Sequence, residues 1–230
     1  SKIDSILRDY FIYYVPKDIV SGDFYWVTKQ HSKTVIAVVD STGHGVPGAF
    51  MSIIGINLLN EIVIDNQIYE PVEILQELNT GINRALHTRK DDVSFQHDGM
   101  EVSICFIDEQ NKKIKISSTT QTVYYVQENE IKTIEGDIHS IGGLLSLGNK
   151  IDFSVYEFDC KKIDALYLFS DGYQDQFGGN DNQKLMVGRF KEILQSIHKK
   201  EMSEQKEILK QKFEEWKGKR AQIDDVLIFG

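Results

Sequence analysis

Asp23, Asp40, Asp171 and the pair Asp224-Asp225 are the residues of this 230-residue chain whose type and placement point to chemistry. Asp23 lies in Ser21-Gly22-Asp23-Phe24, and Asp40 in Val38-Val39-Asp40-Ser41-Thr42-Gly43. Asp171 lies in Phe169-Ser170-Asp171-Gly172, and Asp224-Asp225 directly precede Val226-Leu227-Ile228-Phe229. Each sits against a run of β-formers. A carboxylate at a strand end can point out of the core and converge with others from distant parts of the chain. Converging carboxylates repel one another unless cations neutralise them. Hard divalent cations such as Mg²⁺ and Mn²⁺ take oxygen ligands of this kind. The pattern suggests a two-metal hydrolytic site.

The elements carrying these residues follow from periodicity. Residues 2–9 read as helical, and 10–15 as a strand closed by Pro16. Residues 24–29 and 34–40 form a hairpin around Gln30-His31-Ser32-Lys33. A glycine-rich loop over 43–48 leads into a helix over 49–64. A second helix over 71–89 starts at Pro71, with Val72, Leu75, Leu78, Ile82 and Leu86 at helical spacing. After a polar segment, strands are expected at 100–107, 113–119, 122–127, 130–134, 151–158 and 164–170. Helices over 184–198 and 203–217 precede a last strand, 225–229. Meanders alternate with helix pairs, and regular βαβ alternation is absent, so the class is α+β. Residues 10–230 read as one domain. Residues 1–9 read as the end of an upstream linker helix, because the chain begins abruptly with Ile3, Ile6 and Leu7 at helical spacing.

Composition narrows the function classes. Hydrophobic residues make up 41% and charged residues 27%, as in an ordinary globular domain with a core of its own. A net charge of −9 disfavours nucleic acid, whose phosphates want a basic patch. Cys105 and Cys160 are the only cysteines and have no metal-ligand spacing. Both read as buried free thiols in strand-like runs, which points to a reducing cytoplasm. No signal peptide is visible after Ser1-Lys2-Ile3-Asp4. The apolar stretch Val46 to Ile64 holds Asn57, Asn60, Glu61 and two glycines; it reads as a buried helix, too polar for a membrane span.

Gly43-His44-Gly45-Val46-Pro47-Gly48 matches the dinucleotide-binding pattern G-x-G-x-x-G, after a strand and before a helix. Three features oppose that reading. Asp40 would repel a pyrophosphate there. A second helix follows the first, where a parallel strand with a ribose-binding acid is required. The helix–helix–meander order does not build that fold. The glycines better serve a sharp turn that brings backbone carbonyls near a metal on Asp40. A plain strand-to-helix turn is the other reading.

Taken together, Pro16-Lys17-Asp18-Ile19-Val20-Ser21-Gly22-Asp23-Phe24-Tyr25-Trp26, Val39-Asp40-Ser41-Thr42-Gly43-His44-Gly45-Val46-Pro47-Gly48-Ala49-Phe50-Met51, Leu168-Phe169-Ser170-Asp171-Gly172 and Asp224-Asp225-Val226 resemble a family. It is the sporulation stage II protein E type of bacterial serine/threonine phosphatase, a branch of the metal-dependent, type 2C-like protein phosphatases. The likeness runs from about residue 10 to the end. It implies an α-β-β-α sandwich of two antiparallel sheets flanked by helix pairs. It also implies two Mn²⁺ or Mg²⁺ ions held by Asp23, Asp40, the Ser41 carbonyl, Asp171 and one or both of Asp224 and Asp225. Asp40 would be the bridge, and Asp224 is favoured in the last pair.

The implied reaction is hydrolysis of a phosphoserine or phosphothreonine monoester by metal-activated water, without a protein nucleophile. His44 either protonates the leaving oxygen or is an exposed loop histidine. Asp98 either assists a third cation or starts a strand. Lys17 reads as a solvated lysine, or as a contact to substrate phosphate. No arginine stands near Asp23 to play the phosphate-binding part an arginine has in the eukaryotic branch. Ser117-Ser118-Thr119-Thr120-Gln121-Thr122 replaces the Ala-Gly-rich turn with asparagine of many relatives. The implied substrate is a phosphorylated regulatory protein, such as an anti-sigma-factor antagonist, with an upstream sensor acting through the helix pair after the glycine loop. Neither nucleic acid nor membrane is expected as a partner of this cytoplasmic domain. The competing reading is a phosphatase-like module that binds a partner without turnover.

Overall fold

The computed structural model describes residues 3–43, 45–86, 99–142 and 151–230. Twelve strands and five helices are named here in chain order. One sheet contains β2 (Phe24–Gln30), β3 (Lys33–Ser41), β4 (Met100–Asp108), β5 (Lys113–Ser118) and β8 (Tyr156–Asp159), in that spatial order. The other has the order β1 (Ile12–Val15), β12 (Val226–Phe229), β9 (Ala165–Phe169), β6 (Val123–Gln127) and β7 (Glu130–Ile134). All pairings between these strands are antiparallel. That removes the parallel strands a dinucleotide fold requires.

Strand alternation divides the core into three layers. Phe24, Trp26, Val35, Ala37, Val39, Val102, Ile104 and Phe106 point outward from the first sheet. They pack under helices α1 (Gly45–Leu59) and α2 (Pro71–Leu86). Ile36, Val38, Cys105, Ile114, Ile116, Val123, Leu168, Leu227 and Phe229 fill the space between the sheets. Val126, Tyr167, Phe169, Val226 and Ile228 face helices α4 (Met186–Ile197) and α5 (Met202–Lys217). The result is the expected α-β-β-α sandwich.

The two helix layers bury their faces differently. Helix α2 is amphipathic, with Ile74, Leu75, Leu78 and Ile82 essentially inaccessible to solvent. Burying each such side chain stabilises by roughly 1.5–3 kcal/mol, which outweighs the ~1 kcal/mol cost of Gly81 within the helix. A side chain at Gly81 would collide with Leu58, 2.6 Å from where its Cβ would lie. Helix α1 is apolar around much of its circumference. It buries Met51, Ser52, Gly55 and Leu59 and exposes Val46, Phe50 and Ile53.

Several elements depart from the sequence expectations. Helix α1 begins at Gly45, earlier than expected, because Pro47 is tolerated in a first turn. It continues as a π-helical segment, Asn60–Asp65, where the Trp26 indole donates to Asn60 Oδ1 at 3.0 Å. The continuous helix Gly45–Asp65 is long and apolar enough to cross a membrane by length and composition. That corrects the reading of it as too polar, although its inner face is committed to the sheet. The helix expected over 2–9 is reduced to a 3₁₀ turn, Ile3–Ser5. The strand expected over 151–158 begins only at Tyr156. Cys160 lies in a 3₁₀ turn, Cys160–Lys162, and is only partly buried. A short helix α3 (Gly172–Asp175) and a small hairpin of β10 (Phe177–Gly178) and β11 (Gln183–Lys184) were not foreseen. Both are too short to leave a periodic signal.

Candidate metal centre

The acidic motifs meet at one end of the sandwich. Residues β2 Phe24 and β3 Val39 are paired, so continuing that register by one residue sets Asp23 beside Asp40. Asp40 in turn pairs directly with Glu101 on β4. Asp40 shares strand parity with Ile36 and Val38, and Asp225 with Leu227 and Phe229, all of which line the space between the sheets. Both sheets therefore send carboxylates to the mouth of that space. Asp171 follows Ser170, whose N–H donates to the Leu227 carbonyl at 3.0 Å, so β9 and β12 end and begin together.

The glycines make this convergence possible. A Cβ on Gly172 would lie 1.9 Å from the Asp225 carbonyl oxygen and 3.3 Å from Asp224 Cβ. The Asp-Gly pair is thus a close crossing of two motifs. On the other side, a Cβ on Gly22 would lie 2.5 Å from the Gly43 carbonyl oxygen and 3.1 Å from that of Ser41. A Cβ on Gly48 would meet the same Gly43 oxygen at 2.3 Å. Gly43 and Gly45 adopt φ of 86° and 67°, the left-handed region that glycine enters without steric cost. Ser52 Oγ, on α1, lies 2.8 Å from the Gly22 carbonyl oxygen and 3.1 Å from those of Ser21 and Gly48. One hydroxyl so ties helix, glycine loop and Asp23 turn together.

Asp225 is a clamp. Its Oδ1 accepts from Lys17 N–H at 2.7 Å and its Oδ2 from Gly22 N–H at 2.9 Å, and the residue is only 2% exposed. Both oxygens already hold the loop that delivers Asp23. Asp224 is partly exposed and accepts from Asp225 N–H at 2.9 Å through Oδ1. Its Oδ2 makes no hydrogen bond among the described residues, which leaves it the better cation donor of the pair. Tyr14 supports the same turn by donating its hydroxyl to the Asp23 carbonyl at 2.9 Å.

The electrostatics are those of crowded carboxylates. Asp23 is 3% exposed, and its Oδ2 is buried without a hydrogen-bond partner. Burial pushes its pKa up to about 7; Asp225 and Asp224 add to that, while hydrogen bonding from Ser170 and Asp40 opposes it. Asp40 is held well above the usual carboxylate range, first by burial, then by the charges of Asp23, Asp171, Glu101 and Asp224. Asp171 is pushed up to about 6 by desolvation, Asp224, Asp175 and Glu101, with Lys184 opposing. Asp171 remains exposed to solvent at the cleft mouth, so water screening makes its upward push the least costly of the three.

Among the described residues, no three Asp, Glu, His or Cys side chains close into a ready cation cage. The donor chemistry nevertheless suits Mg²⁺ or Mn²⁺. The oxygens are hard ligands. A buried carboxylate oxygen without a partner is costly and calls for one. Asp23, Asp40, the Ser41 carbonyl, Asp171 and Asp224 are the groups that would hold the ions.

Residues 30–229 match the stage II sporulation protein E (SpoIIE) family. The chain belongs to that family. Its fold is similar to the SiaA-PP2C domain of Pseudomonas aeruginosa, at 25% identity and a TM-score of 0.80, covering 96% of this chain and 83% of that one. It is also similar to a structure of the PP2C phosphatase domain of SpoIIE from Bacillus subtilis with a fragment of its regulatory domain. There the identity is 20% and the TM-score 0.72, over 96% of this chain and 62% of that one. RsbX in complex with magnesium shares the fold at 14% identity and a TM-score of 0.61, over 96% and 92% of the two chains. Among curated proteins none matches. The molecule is a PP2C-like phosphatase domain of a family that works in bacterial signalling.

Of the residues singled out in the sequence, Asp23, Asp40, Ser41, Asp171, Asp224 and Asp225 share one end of this SpoIIE-family domain. His44 and Asp98 lie outside the described residues. Lys17 enters through its backbone N–H. Within the Ser117–Gln121 segment, Ser117, Ser118, Thr119 and Gln121 are buried, and Thr120 is exposed. Ser103 Oγ donates to Gln121 Oε1 at 2.9 Å and lies 2.8 Å from Ser118 Oγ, and Thr119 Oγ1 accepts from Val102 N–H at 2.8 Å. Sequence reading passed over Glu101. Its signal was present, since Glu101, Ser103 and Cys105 alternate with Val102, Ile104 and Phe106 and so share the inter-sheet face.

Proposed function

We propose that this domain is a metal-dependent protein serine/threonine phosphatase acting on a phosphoserine or phosphothreonine monoester of a regulatory protein in bacterial partner-switching signalling. An anti-sigma-factor antagonist is the substrate type this reading favours. The observation that carries it is the convergence of Asp23 and Asp40 with Asp171 and Asp224 at the sandwich mouth, with one buried Asp23 oxygen unpartnered.

Asp23, Asp40 and the Ser41 carbonyl would hold the cations from the first sheet, and Asp171 and Asp224 from the second. Divalent cations supply there the lowered water pKa and the neutralised phosphoryl charge that phosphomonoester hydrolysis needs. Asp225 orients the Asp23 loop and keeps its own oxygens on backbone amides. No cysteine serves as nucleophile at this mouth. Cys105 lies in the core between the sheets, and burial pushes its thiol up to about 12. His44 is assigned the proton delivery to the leaving oxygen. The Ser52 contacts give a regulatory input on α1 a direct mechanical path to the Asp23 turn.

The test is hydrolysis of a small aryl phosphate with and without Mn²⁺, beside Asp40→Asn. Turnover that requires Mn²⁺ and is lost in Asp40→Asn is expected. No turnover and no Mn²⁺ binding by calorimetry would sink the reading. Metal binding without turnover, persisting with the full-length protein and its phosphorylated partner, would make this a binding module.

A further inference from the structure

Glu101 is a carboxylate the proposed reaction does not yet use. It stands directly across the β3–β4 pair from Asp40. With Asp23 beside Asp40, three acids occupy neighbouring positions on three adjacent strands, about 4.8 Å apart from strand to strand. Strand parity sends Asp40 and Glu101 to the same inter-sheet face. Like charges directly opposite each other destabilise a sheet. Among the described residues, none of the three forms an ion pair with a lysine or arginine. The strand start holding Glu101 is also fixed. Thr42 N–H donates to the Gly99 carbonyl at 2.9 Å, and Val102 N–H donates to Thr119 Oγ1 at 2.8 Å. Glu101 therefore cannot swing away by local fraying without breaking that anchorage. A second, independent feature points to a ligand: Asp23 Oδ2, in the same row and on a residue 3% exposed, has no hydrogen-bond partner.

We propose that Glu101 is a further cation ligand of this site, sharing a divalent ion with Asp40 at the outer end of the Asp23–Asp40–Glu101 row. The inference rests on the metal reading of the site and extends its ligand set onto β4. A cation there converts a repulsive cross-strand pair into an attractive one. It also links β3 to β4 through the ion, across strands that the helix pair separates in the chain.

Mn²⁺ calorimetry on the wild type, Glu101→Gln, Glu101→Asp and Asp40→Asn tests it, with melting in chelator as a second readout. Glu101→Gln should bind one fewer ion, or one ion about 10–100-fold more weakly. It should also melt at a higher temperature than the wild type without metal, because the repulsion is gone. Glu101→Asp should restore part of the affinity. Unchanged stoichiometry and affinity in Glu101→Gln, with binding lost in Asp40→Asn, would overturn this inference alone. Absence of Mn²⁺ binding by the wild type would overturn it together with the metal reading. Should Glu101→Gln fail to fold, Glu101→Asp decides, since wild-type affinity in that shortened side chain would also overturn the inference.

Discussion

At the residue scale, adjacent aspartates have opposite tasks. Asp225 is buried with both oxygens on the backbone amides of Lys17 and Gly22. Asp224 is partly exposed and keeps one oxygen free of hydrogen bonds among the described residues. An asparagine at 225 turns one acceptor into a donor facing an N–H. Asp225→Asn is therefore expected to lose about 1–3 kcal/mol of stability in urea unfolding, the cost of leaving a buried donor unsatisfied. Asp224→Asn should unfold near the wild-type midpoint yet bind Mn²⁺ more weakly. Equal stability losses in both variants would count against the clamp. The sequence marked the Asp-Asp pair as chemically interesting, and the family resemblance favoured Asp224. Which oxygen meets which amide depended on a loop more than 200 positions away, as in the Lys17 bond spanning 208 residues.

At the element scale, the site depends on strand ends and turns being brought closer than side chains would permit. Gly172 abuts the first residues of the β12 approach, and Gly188 in α4 has nothing within 4 Å of its would-be Cβ. Gly172→Ala should cost about 1–3 kcal/mol or more through overpacking, and it should weaken Mn²⁺ binding by displacing Asp224. Gly188→Ala should be neutral or stabilise by up to about 1 kcal/mol, through helix propensity. Chemical denaturation of the two variants checks both; equal effects would refute the close-crossing account. Helices α2, α4 and α5 and the strands from β2 to β7 were legible because they carry periodic apolar patterns over several residues. Helix α3 and the β10–β11 hairpin were not, because elements of two to four residues owe their shape to packing. The 3₁₀ turn at Ile3–Ser5 shows the reverse case, a helical spacing of apolar residues that packing did not extend.

At the scale of the whole molecule, the apolar cluster between the sheets includes Cys105, which is 0% exposed. Burial holds its thiol protonated up to about 12, whereas an unfolded cysteine ionises near ~8.5. Above that lower value the folded chain binds one proton more than the unfolded one, so this group's contribution makes stability fall as pH rises from about 8.5 toward 12. Cys105 should accordingly resist a thiol reagent at pH 8 until global unfolding, while the partly buried Cys160 reacts first. Two thiols titrating quickly in the native protein would mean that the sandwich opens locally. The sequence by itself determined the acidic positions, the α+β class and most of the regular elements, because alternation and helical spacing are local and each Asp is fixed at a strand end. Tertiary structure alone decided which carboxylates are neighbours. Pairing β3 with β4 set Glu101 against Asp40, and packing Gly172 on β12 and Gly22 on the glycine loop brought five distant segments to one mouth. Those contacts span different strands and both sheets, and charge repulsion and desolvation act through space, where chain spacing carries no record of them.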